Sequence, residues 1–66
     1  MPVIKVIEVM ATSSSGWEDA AKNAVKHAAK SIKNIKSVYI KDQSARVQGE
    51  NLTEYRVNVK ISFEVE

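Results

Sequence analysis

Four carboxylates, Glu8, Asp42, Glu54 and Glu64, lie in stretches that read as extended chain, where strand pairing decides which of them meet. A hard cation needs several oxygens converging on it, and no local run resembles a calcium loop. The single histidine, His27, has no cysteine to join it, which excludes the usual tetrahedral zinc set. Ser13, Ser14 and Ser15 are consecutive, but no base is placed beside them by sequence, so loop and capping chemistry explains them better than nucleophilic catalysis. There is no glycine-rich phosphate loop, no pair of acids at a defined spacing and no nucleophile elbow, so the expectation is a protein that is not an enzyme.

The elements that would position these groups follow from hydrophobic periodicity. Val3 to Met10 is rich in valine and isoleucine and predicts a first strand. Its alternating faces are both partly apolar, Ile4, Val6 and Met10 on one and Val3, Ile7 and Val9 on the other, which fits a strand covered on both sides. "ATSSSGW" then reads as a loop feeding a helix, with Ser15 and Glu18 spaced for a capping box. From Trp17 the apolar positions Ala21, Ala24, Val25, Ala28 and Ile32 form one stripe at 3.6 residues per turn, which places Trp17 in packing rather than on a ligand. Lys22, Lys26, Lys30 and Lys33 fall opposite as a solvated face, and Glu18 stands four residues before Lys22 for a favourable pair.

After Asn34, Val38, Tyr39, Ile40 and Val47 mark a second strand that ends near "QGEN", with Gly49, Glu50 and Asn51 as a hairpin turn. The last segment alternates cleanly. Tyr55, Val57, Val59, Ile61, Phe63 and Val65 share one face, and Arg56, Asn58, Lys60, Ser62 and Glu64 share the other. The order β-α-β-β makes an α+β subunit: the helix crosses over so that the first two strands are parallel, and the third lies between them, antiparallel to both. One helix covers one face of this three-stranded sheet. The other face, with Tyr39, Lys41, Arg56 and Lys60, meets solvent or a partner subunit.

Sixty-six residues form one domain, 1–66, and a chain of that size buries only about 60% of the surface it exposes when unfolded. With no cysteine for a disulfide, the means left to hold so small a core are oligomerisation or a bound ligand. A net charge of +2, with charged residues at 27% and mixed in sign, gives no reason to expect nucleic acid or membrane as a partner. No signal peptide or membrane-length apolar run is visible, so the expected location is the cytoplasm.

At "KVIEVMATSSSGWEDAAKNAV" and "TEYRVNVKISFEVE" the chain resembles the dodecins, small β-α-β-β proteins whose subunits assemble into a hollow dodecamer. "SGWEDAAKNAV", with tryptophan at the helix start, is more similar to the calcium-binding branch than to the flavin-storing one. The resemblance implies a flavin site in which each isoalloxazine stacks on a tryptophan at the start of the second strand and is bonded by a glutamine of the last. Those positions are Ser37 and Arg56 in this chain, Asp42 matches an aspartate common in the family, and Arg46 falls where flavin binders carry an acidic or a histidine side chain. Serine has neither π-face nor area for stacking, which is worth about 0.5–1.5 kcal/mol beyond area burial. Arg56 retains a planar guanidinium that stacks on rings or pairs with phosphate.

The function expected from residues and resemblance together is a dodecin-like homo-oligomer, a dodecamer, that binds or stores a small ligand. That ligand is a flavin (FMN or riboflavin), weakly held, or a metal ion such as calcium, with its metal ligands unassigned. The alternative is a structural or interaction oligomer without a dedicated ligand.

Overall fold

The computed structural model describes residues 3–65. Met1, Pro2 and Glu66, part of the single domain expected over 1–66, lie outside the described residues. Strand β1 (Val3–Ser13) is followed by helix α1 (Trp17–Ala28), strand β2 (Ile35–Gln48) and strand β3 (Asn51–Val65). The sheet order is β1-β3-β2, with both outer strands antiparallel to β3. This is the arrangement expected: β1 and β2 run parallel to each other, with β3 between them.

The first strand is longer than the sequence pattern indicates. Ala11, Thr12 and Ser13 are not loop; they pair with Val57, Arg56 and Tyr55. This extension changes how the helix begins. The capping box expected from Ser15 and Glu18 does not form, and Gly16 is the N-cap without a side-chain bond. Instead β1 delivers Ser13 to the first turn, where its hydroxyl donates to Asp19 Oδ2 at 2.5 Å and accepts the Ser15 N–H at 2.9 Å. The helix also ends earlier than its apolar stripe. Tight turns follow Ala28, yet the Ile32 N–H still reaches the Ala28 carbonyl at 2.9 Å, so Ile32 remains beneath the stripe and packs on the core.

Asn34 closes this connection at φ 63, a conformation that asparagine tolerates better than most residues. Gly49 opens the β2–β3 hairpin at φ 65, where the absence of Cβ removes the steric cost.

The core is narrow. Ala20, Ala21, Ala24 and Ala28 of α1 lie on Val57, Val59 and Ile61 of β3, all three of which are 0% exposed. Alanines let the helix axis approach the sheet closely but bury little area each, so β3 supplies the larger side chains. The chain measures 51 × 20 × 12 Å. Its length is that of the 15-residue β3 at about 3.3 Å per residue, whereas a 12-residue helix spans only about 18 Å. Most of the ribbon is therefore uncovered. The two-sided cover expected for β1 is absent within the chain, because Ile4, Val6 and Met10 face away from the helix and are 51–59% exposed.

Candidate functional site

Pairing across β3 fixes which side chains share the face opposite the helix. From β1 these are Ile4, Val6, Glu8, Met10 and Thr12, which oppose Glu64, Ser62, Lys60, Asn58 and Arg56 of β3. On β2 the alternation is interrupted twice, by an extra residue at Lys36, between Ile35↔Phe63 and Ser37↔Ser62, and by another at Lys41, between Ile40↔Val59 and Asp42↔Asn58. Odd-numbered residues Ser37 and Tyr39 face outward between these two bulges. Even-numbered Asp42, Ser44 and Arg46 do so after the one at Lys41. All four residues expected at the ligand site, Ser37, Asp42, Arg46 and Arg56, therefore lie on this one outer face.

They do not form one cluster. Ser37 opposes Ser62, and the two hydroxyls share a hydrogen bond. Arg56 lies six residues from Ser62 along β3, roughly 20 Å at strand rise. Asp42 stands between these ends, opposite Asn58. Arg46 and Arg56, by contrast, come together with Glu54, Ser44 and Ala45 around a depression of about 220 Å³. Arg46 opposes Glu54, Arg56 opposes Ser44, and the Arg56 guanidinium lies 3.8 Å from the Glu54 carboxylate.

A third bulge, on β3, creates this proximity. With Gly49–Glu50 as the turn, Gln48↔Asn51 and Val47↔Leu52 would continue to Arg46↔Thr53, placing Arg46 on the helix side. The extra residue Thr53 shifts the pairing to Arg46↔Glu54 and brings Arg46 onto the face of Arg56. Period-two reasoning misses Arg46 and Ser44 as the cross-strand neighbours of Glu54 and Arg56 for that reason. The signal that could have found them is threonine beside a two-residue turn, too common to identify a bulge.

Trp17 holds this region to the helix. Its indole N–H donates to the Ser44 carbonyl at 2.8 Å, and its ring meets that of Tyr55 edge-on at 4.9 Å. The packing role expected for Trp17 is thus seen, with an added polar tether to β2. His27 is exposed, as expected of a surface histidine. Ion pairs Glu8–Lys41 at 3.6 Å and Lys36–Glu64 at 3.6 Å also lie along the sheet, with all four side chains more than a third exposed.

Comparison with known proteins places this geometry. The family model for dodecin matches residues 3–66. The chain belongs to the dodecin family. It is 34% identical over 65 residues to the calcium dodecin of Mycobacterium tuberculosis, covering 98% of this chain and 92% of that protein. The crystal structure of that calcium-chelating antigen superposes with a TM-score of 0.82 at 33% identity, over 97% of this chain and 91% of the other. A variant of the Thermus thermophilus dodecin superposes at 0.93 with 26% identity, over 100% of this chain and 98% of that one. Sequence identity and backbone likeness thus favour different relatives, and the expected β-α-β-β dodecin fold holds against both.

Neither group associated with dodecins is fully provided for by these residues. Among the described residues no three Asp, Glu, His or Cys side chains gather closely enough to hold a metal ion, whereas calcium takes six to eight oxygens. For an aromatic ligand, Ser37 offers only a hydroxyl already engaged by Ser62. Tyr39, two residues further on the same face and 64% exposed, is the aromatic surface that β2 does present there.

Proposed function

We propose that this dodecin is a non-enzymatic homo-oligomer, a dodecamer of the cytoplasm, that binds a small ligand between the outer sheet faces of neighbouring subunits. The observation that carries this reading is the imbalance between the sheet's two sides. A core of four alanines, two valines and one isoleucine is paired with an outer face that leaves Ile4, Val6, Met10 and Tyr39 exposed. An assembly that turns these faces toward one another supplies the burial that a subunit of this size lacks.

The ligand is of flavin type and weakly held. Tyr39 offers a ring, and the small Ser37–Ser62 pair beside it leaves room for a planar molecule. Calcium is the second reading, favoured by the 34% identity to a calcium dodecin; its site would take carboxylates from more than one subunit. Among the described residues no helix is long and apolar enough to cross a membrane.

Native mass spectrometry of protein taken directly from cells tests the proposal, because it reports subunit count and co-purifying mass together. Twelve subunits with a bound small molecule are expected. A monomer near 7.3 kDa would sink the reading. Quenching of riboflavin fluorescence and calorimetry with calcium after chelation then separate the two ligands: quenching with a flat calcium titration supports the flavin, and the reverse supports the metal.

A further inference from the structure

We propose that Arg46 and Arg56, brought onto one face by the bulge at Thr53, bind the phosphoryl group of a phosphomonoester or diphosphate ligand. This deepens the ligand-binding reading, and rests on it only for the premise that the protein takes up small molecules.

Charge is the first argument. Two arginines and one glutamate line this depression, leaving a net positive site. Arg56 and Glu54 stand 3.8 Å apart, well beyond the roughly 2.7–2.9 Å of a charge-assisted hydrogen bond. Among the described residues no carboxylate lies within ion-pair distance of the Arg46 guanidinium. Both forks thus keep donors for another acceptor, and a dianion competes better for them than the monoanionic Glu54 does.

Shape is the second. The depression, about 220 Å³, is below the roughly 300–1,000 Å³ of pockets that enclose drug-sized molecules. It suits a phosphoryl or diphosphate group rather than a ring system. Ser44 and Ala45 are small enough to leave that space open between the arginines.

Preorganisation is the third. The hairpin beyond Ser13 has no third strand beside it and would be a mobile ribbon if untethered. At the site itself, the Trp17 indole fixes the Ser44 carbonyl and the Trp17 ring packs on Tyr55, the residue between Glu54 and Arg56. A fixed backbone beneath two flexible guanidinium groups reduces the ordering cost of binding. The bulge is the feature that gives the arrangement specificity, since regular pairing would send the two arginines to opposite faces.

Calorimetric titration of the assembled protein with pyrophosphate at low ionic strength, where the Debye length is about 30 Å, tests the site. Arg46→Gln and Arg56→Gln are each expected to weaken binding at least about tenfold. Arg46→Lys, which keeps the charge and loses the fork, falls between, and Glu54→Gln tightens binding by removing the competing carboxylate. Lys30→Gln, which removes the same charge from the far end of the helix, leaves binding unchanged. For a phosphomonoester probe such as FMN, affinity drops as pH falls through about 6, where the ligand loses its second charge.

Wild-type protein with no pyrophosphate heat overturns the site, as does equal weakening by Lys30→Gln and Arg46→Gln. Light scattering on each variant shows whether assembly is intact. Riboflavin, which has no phosphate, separates this inference from the reading beneath it. Absent riboflavin quenching with pyrophosphate binding intact removes the flavin ligand and leaves the phosphate site standing. Riboflavin quenching with pyrophosphate bound equally by wild-type and Arg46→Gln proteins removes the phosphate site alone.

Discussion

The two faces of β3 follow different rules within one strand. Toward the helix, Val57, Val59 and Ile61 are fully buried against alanines. Away from it, Arg56, Asn58, Lys60 and Ser62 pair with residues that three bulges have reset. The first face holds the subunit together by apolar burial, which any well-packed set of the same volume would satisfy. The second has little to contribute to the subunit's own stability, and its arrangement makes sense as a surface that meets something. The contrast predicts that substitutions on one strand, one residue apart, differ severalfold in effect.

The largest effect should come from Ile61→Ala, at about 2–5 kcal/mol of stability, through lost transfer energy and a cavity that the flat alanine helix cannot fill. Lys60→Ala, its neighbour on the other face, should stay within about 0.5 kcal/mol. Urea unfolding at one fixed protein concentration checks both, since the proposed assembly would couple stability to concentration. Comparable losses at the two positions would break the contrast between the faces.

A smaller effect distinguishes the two candidate serines at the helix start. Ser13→Ala should cost about 1–2 kcal/mol, because the Ser13 hydroxyl is partnered by both Asp19 and the Ser15 amide. Ser15→Ala should cost under about 0.5 kcal/mol, since the side chain that the sequence suggests as a cap makes no capping bond. Thermal unfolding of the two variants would show the reverse order if Ser15 were the cap in solution.

The helix-facing side was legible in advance for a physical reason. Burial imposes a period on the residues that undergo it, and the runs Trp17–Ala28 and Tyr55–Val65 show periods of 3.6 and 2 without interruption. From those runs came the element order, the central place of β3 and the packing role of Trp17. The outer side was not legible, because a bulge inserts a residue without a sequence signature and exchanges inward for outward positions. Ser37 and Arg46 lie on opposite sides of the Lys41 bulge, so no single alternation places both. The resemblance to dodecins named all four expected site residues, but it could not show that Arg46 meets Arg56 while Ser37 stands some six residues of strand away.

Refilling the outer face sharpens the contrast from the other side. If Ser37 occupies the place of a stacking side chain, Ser37→Trp with Arg56→Gln should strengthen riboflavin quenching by roughly three- to tenfold, the equivalent of about 0.5–1.5 kcal/mol of stacking. The same change should leave the urea midpoint nearly unaltered, because neither residue is part of the core. No gain in quenching would show that position 37 is not beside the ligand, and would shift attention to Tyr39 as the ring-bearing position.

The smallest effects carry the comparison from the subunit to the assembly. Glu18 and Lys22 form an i, i+4 pair at 4.0 Å with both side chains largely in water, so their coupling in a double-mutant cycle should be about 0.3–0.5 kcal/mol and should vanish at high salt. Glu8 and Lys41 are 3.6 Å apart on the outer face and reach from β1 to β2 across the central strand. In a lone subunit they too would contribute at most about 1 kcal/mol. If neighbouring subunits cover that face, however, salt has less access to this pair than to the helical one, and its coupling should persist at about 1 M salt, where the Debye length is only about 3 Å. Two cycles on the same protein therefore compare a solvated pair with one that the proposed assembly would enclose. Equal loss of both couplings at high salt would mean that the outer face stays in open water and that neighbouring subunits meet elsewhere.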